Sequence, residues 1–121
     1  MAKDDYDIIL CRVLVYLYGV VKRKTVFSRQ EFLQTVKRDA NDDYFTDVLR
    51  FAQDDGLVKG VVTTKPWGHS YILISDYESL EITSAGIRYL KENGSAQKAL
   101  QVLKESVDII AELAGMLGLF I

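Results

Sequence analysis

Apolar residues recur three and four positions apart from the start of the chain, and that spacing predicts a helix over residues 5–24. Ile8, Ile9, Val13, Tyr16, Leu17, Val20 and Val21 form its stripe, which Tyr6, Leu10, Leu14 and Tyr18 widen. A helix this apolar is expected to be buried on more than one side. Asp4 or Asp5 caps its start, and Lys22, Arg23 and Lys24 suit the negative end of its dipole. Residues 25–27 predict a very short strand. Ser28, with Glu31 three residues on, has capping-box spacing and opens a helix to about Arg38 that turns Phe32, Leu33 and Val36 inward. After a turn at 39–41, Asn41 or Asp42 caps a helix that buries Tyr44, Phe45, Val48, Leu49 and Ala52 and stops at Gly56.

The period then changes. Val58, Val61, Val62, Tyr71, Ile72 and Ile74 are β-branched or aromatic and predict strands over 57–64 and 70–75. Lys65-Pro66-Trp67-Gly68 joins them as a turn, with Pro second and Gly fourth. A short strand over 80–82 precedes Thr83, which caps a helix to about Glu92 that Asn93-Gly94 stops. From Ser95 one helix is expected to run to the C-terminus. Ala96, Leu100, Leu103, Val107, Ile110, Ala114, Leu117 and Ile121 alternate four and three apart along it, a heptad seam that Ile109, Leu113, Met116 and Phe120 broaden past Asp108.

Helix, short strand, helix, helix, hairpin, helix is the order of a winged helix. The expected class is therefore α+β, with a winged-helix domain over 1–94 and a long C-terminal helix over 95–121. The stretch from Leu80 to Leu90, with Thr83, Gly86, Tyr89 and Leu90 at its marked positions, resembles the "LT-x-x-G-x-x-Y-L" entry into the last winged helix of many bacterial regulators. Its continuation Lys91-Glu92-Asn93-Gly94-Ser95, with Lys98-Ala99 and Leu103-Lys104-Glu105, resembles the YjcQ family more narrowly. That resemblance spans roughly Leu80 to Glu105 and upstream rests on element order. It implies a small winged-helix-like protein of Gram-positive bacteria and their phages, a family without an established biochemical role. The apolar end after Asp108 looks like an extension beyond the shorter members.

The first and last helices look too apolar for a single contact between them to cover both. Leaving about 600 Å² of apolar surface wet would cost on the order of 15 kcal/mol. A homodimer or larger assembly is expected, with Leu100, Leu103, Val107, Ile110, Leu113, Leu117 and Phe120 at its interface. Membrane-surface binding is disfavoured, because Lys98 and Lys104 face Glu105, Asp108 and Glu112 on the same stretch and no basic flank follows.

Charge narrows the partners. The formal net charge is −2 and the pI about 5.3, so no global basic field attracts nucleic acid. A single cysteine excludes an internal disulfide and fits a reducing cytoplasm. The acidic start is unlike a signal peptide, and no apolar run is long enough to span a bilayer. Cys11 and His69 are single copies in different elements, and the carboxylates at 42, 43 and 47 read as a solvated face. No enzyme activity, metal or cofactor is therefore expected.

The helix after Asn41 holds the main tension. In a helix-turn-helix it would enter the major groove. Yet it carries Asp42, Asp43, Asp47, Asp54 and Asp55 against Arg50 alone. At about 7 Å from a phosphate each surplus charge costs about 0.6 kcal/mol in water, and four cost on the order of 2 kcal/mol, about thirtyfold in affinity before screening. Lys22, Arg23, Lys24 and Arg29, with Lys65 near the hairpin tip, are the candidates to grip phosphates, and Arg50 and Gln53 the candidates to read bases. The plainer reading of the cations, helix-end and solubilising charges, is preferred. Trp67 at the hairpin tip is either a contact anchor or folded back on Pro66. The leading expectation is thus a non-catalytic protein-interaction module with an unknown protein partner. The second is a DNA-binding regulator.

Overall fold

The computed structural model describes residues 6–105 and 108–120 of the 121-residue chain. The expected caps at Asp4 and Asp5 and the seam positions Val107 and Ile121 lie outside these residues. The described chain is α+β, mostly helical, with two small antiparallel sheets.

Helix α1 (Tyr6–Val21) is the axis of the molecule and is buried from Ile8 to Gly19. It ends with Arg23 in the left-handed region at φ 63°, where the Lys24 amide donates to Gly19 and the Arg23 amide to Val20. The expected strand at 25–27 does not form. Phe27 instead joins Tyr16, Phe32, Phe45 and Tyr77 in an aromatic cluster with centroid spacings of 5.2–6.3 Å. Burial of the ring takes the place of a ladder.

Ser28 caps α2 (Arg29–Phe32) as expected, its Oγ accepting from Glu31 N at 3.2 Å. The reciprocal bond runs through a third residue: Ser28 N donates to the Tyr16 hydroxyl at 3.1 Å, which donates to Glu31 Oε1 at 2.9 Å. The helix continues as a π-helix (Leu33–Lys37) rather than an α-helix. Its Val36 carbonyl accepts from Arg12 Nε at 2.9 Å, so a buried guanidinium from α1 holds the loosened turn. Asn41 then caps α3 (Asp42–Asp54), and Gly56 takes φ 78° after it.

Strand β1 (Val58–Lys59) pairs with β4 (Glu81–Ile82), Val58 opposite Ile82. The expected strand over 57–64 is broken, with Gly60 at φ 90°, and only its end, β2 (Thr63–Thr64), pairs with β3 (Ile72–Leu73) as a hairpin shorter than expected, Thr63 opposite Leu73. A 3₁₀ turn (Tyr77–Ser79) returns the chain to β4. The crossing is close at Gly60, where a Cβ would meet the Ser79 carbonyl oxygen at 2.1 Å. Thr83 caps α4 (Ser84–Glu92) as expected. Gly86 on that helix sits on β1's approach, and a Cβ there would meet the Leu57 carbonyl oxygen at 2.3 Å.

The long C-terminal helix is replaced by two. Asn93 caps α5 (Gly94–Lys104), and Asp108 caps α6 (Ile109–Met116) by accepting from Ala111 N at 3.0 Å. Asp108 also takes an ion pair from Arg38, which ties the break to the turn before α3. Both helices pack on α1, so the C-terminal segment belongs to the same core as the rest. No helix of the described residues is long and apolar enough to cross a membrane.

Candidate interaction surface

The residues expected to read DNA on α3 are engaged inside the molecule. Gln53 Nε2 donates to the Val61 carbonyl at 2.8 Å, and its Oε1 accepts from Val61 N at 2.8 Å. This two-bond clamp satisfies the backbone between β1 and β2, and it corrects the expectation that Gln53 faces a base. Arg50 donates to Asp47 Oδ1 from Nη2 at 3.0 Å. Its guanidinium carbon lies 3.7 Å from the centre of the Tyr71 ring and 5.2 Å from that of Phe51. Lys65 Nζ comes within 5.3 Å of the same Tyr71 ring. Tyr71 is thus the platform that gathers two candidate cations. The sequence marked it only as a strand former.

The basic residues differ in what they face. Lys22, Arg23 and Lys24 are exposed on the turn after α1, about 24 Å along that helix from Tyr6. Arg29 lies over the Tyr77 ring at 5.1 Å. Lys37 pairs with Asp42 at 2.7 Å and Arg38 with Asp108, so the cations that follow α2 are already neutralised.

What α3 leaves to solvent is acidic and aromatic. Tyr44, expected inside, is 37% exposed, and Phe51 is 43% exposed. These two rings, Tyr6 of α1, Asp54 and Asp55 line an open cavity of about 500 Å³. The rings of Tyr6 and Phe51 stand 6.2 Å apart, tilted by 60°. Burial, then the carboxylates of Asp55 and Asp7 and the Tyr44 phenol, raise the Tyr6 pKa.

The hairpin tip differs from the expected turn by one residue. His69 N donates to the Pro66 carbonyl at 2.9 Å, and Gly68 at φ 78° occupies the third position, which requires a positive φ. Trp67 therefore stands at the corner, fully exposed at 100%, and is not folded onto Pro66.

The expected interface residues of the C-terminal segment lie mostly within the chain. Leu100, Leu103, Ile110, Leu113 and Leu117 are buried in the core, and Phe120 packs against it partly buried. The break before Asp108 lets α5 and α6 each lay an apolar face on α1. That fold-back buries Leu100, Leu103, Ile110, Leu113 and Leu117 within the chain, while Met116 of the expected stripe stays exposed.

The remaining chemistry is quiet. Cys11 is fully buried, donates to the Ala96 carbonyl at 3.6 Å, and has its thiol pushed up to about 12 by desolvation, then by Asp7. His69 is exposed beside the hairpin tip, so the two do not meet. Among the described residues no three His, Cys, Asp or Glu side chains converge on a metal position.

The family model for the YjcQ protein matches residues 12–109, which includes α3, the hairpin and α4 and stops at the start of α6. The match therefore extends well upstream of the 80–105 stretch that carries the sequence resemblance. Bacillus subtilis (strain 168) has a relative, "Uncharacterized protein YjcQ", that is 32% identical over 93 residues, 77% of this chain and 92% of the relative. No solved structure matches the chain. On the extent of these two matches, the chain belongs to the YjcQ family.

Proposed function

We propose that this chain is a non-catalytic winged-helix protein-interaction module that assembles with itself, its contact face built from α3 and the hairpin wing. The observation that carries the reading is the use of α3's polar side chains. Arg50 and Gln53 are spent on Tyr71 and Val61, while Asp43, Asp54 and Asp55 are exposed. A helix so arranged repels phosphate and offers rings and carboxylates to a protein. The element order from α1 to α4, with the β2–β3 hairpin as wing, supports the winged-helix assignment. The Bacillus relative supports a setting in Gram-positive bacteria; a cytoplasmic location and a phage connection are part of the proposal.

A second reading, a DNA-binding regulator, draws on the exposed Lys22, Arg23 and Lys24. Anisotropy of a labelled random duplex, titrated across a salt series, separates the two. The interaction module shows no binding at physiological salt. A regulator binds with a steep salt slope that changing Lys22, Arg23 and Lys24 to Ala flattens.

A further inference from the structure

The wing tip and the α3 groove fit each other in chemistry. Trp67 is fully exposed at the corner of its turn. An indole there holds a large apolar surface in water, and tip aromatics of this kind act as anchors when a cavity receives them. Lys65 and His69 flank it, both exposed. The cavity walled by Tyr6, Tyr44 and Phe51 is aromatic and is rimmed by Asp54 and Asp55. The tip offers an indole beside the Lys65 charge, and the cavity offers rings beside two carboxylates.

The wing cannot easily turn into its own groove. Gln53 clamps Val61 at its base, and Arg50 holds Tyr71 beside Phe51, so stalk and groove wall are fixed side by side. A second copy related by a two-fold axis meets no such restraint, and its contact is reciprocal by symmetry.

We propose that the wing tip of one copy docks in the α3 groove of a second, so that each site is completed by the partner's Trp67. This docking rests on the interaction-module reading and names the partner.

Trp67 is the only tryptophan in the chain, so its emission reports its own burial. The full chain is diluted from hundreds of micromolar to below one, with sedimentation and intrinsic fluorescence read together at low and high salt. The expected result is a dimer whose emission is blue-shifted, moves to the red as it dissociates, and weakens several-fold at high salt. Trp67→Ala, at a fully exposed position, is expected to keep the fold and sediment as a monomer. A double variant, Asp54→Lys with Asp55→Lys, keeps its tryptophan and loses its groove. Adding excess Trp67→Ala chain, which has no tryptophan, is expected to shift the selectively excited tryptophan emission of that double variant to the blue.

A monomer at hundreds of micromolar with solvent-like emission overturns the docking. So does a dimer that Trp67→Ala leaves intact. The monomer result also removes self-assembly from the proposed function, whereas a dimer that survives Trp67→Ala leaves self-assembly standing; the preference for a protein partner over DNA is tested separately and falls if the duplex titration shows binding at physiological salt.

Discussion

Arg50 lies with its guanidinium carbon 3.7 Å from the centre of the Tyr71 ring, and this contact pins the hairpin to the outer face of α3. It also removes from that face its one arginine. Asp47 completes the arrangement by accepting from both Nε and Nη2 of Arg50, at 3.3 and 3.0 Å.

Arg50→Ala is therefore expected to loosen the hairpin more than the core. A cation held between a carboxylate and a ring contributes on the order of 1 kcal/mol. Global stability to urea should fall by about that amount. Hydrogen exchange should show larger loss of protection in residues 62–75 than in α1.

Gly86→Ala tests the close approach of α4 to the chain before β1. Its Cβ would meet the Leu57 carbonyl oxygen at 2.3 Å, a backbone atom that cannot rotate away. The expected loss is about 1–3 kcal/mol, read as a lower denaturation midpoint with an unchanged slope. Gly94→Ala, where nothing lies within 4 Å, is the control and should change stability by less than about 0.5 kcal/mol.

Tyr16→Phe removes the hydroxyl that closes the Ser28–Glu31 cap. Ser28 N loses its acceptor and Glu31 its donor. The expected cost is about 1–2 kcal/mol, with the exchange of amides at the start of α2 accelerated most.

Alkaline pH should unfold the protein gradually. Burial holds the Cys11 thiol up at about 12 from an ordinary 9.0, and the Tyr16 and Tyr89 phenols up at about 12 from 10.0. The unfolded chain releases these protons first, so the folded state binds more of them above the ordinary values. Their contribution is present in full below the unfolded values and is lost as pH rises towards 12. Chemical denaturation across this range should show the midpoint falling with pH. Cys11→Ser should make the decline shallower.

Much of this fold is legible in the chain because local signals and burial agree. Ser28, Asn41 and Thr83 cap helices where their side chains lead an apolar period, and the hairpin falls where β-branched and aromatic residues flank the Pro66-Trp67-Gly68 turn. The C-terminal segment misleads because heptad spacing is blind to a break between two short helices. Leu100 and Leu103 keep register with Ile110 and Leu117 although Asp108 starts a new helix between them. Asp108 as an N-cap was the available signal. Arg12, inside the apolar run of α1, marks the π-helical turn it bonds. The use of Gln53 and Arg50 was hidden for a different reason. Their partners Val61 and Tyr71 lie 8 and 21 residues away across the sheet, beyond any helical period.

Helix α3 presents a face that repels the phosphates of DNA. The most direct measurement compares the parent chain with a variant carrying Asp43→Asn, Asp47→Asn, Asp54→Asn and Asp55→Asn, each titrated into labelled random duplex at low salt. The expected result is weak binding by the parent and an affinity up to about thirtyfold higher for the variant. A parent that already binds as tightly as the variant, with a steep salt dependence, would contradict it.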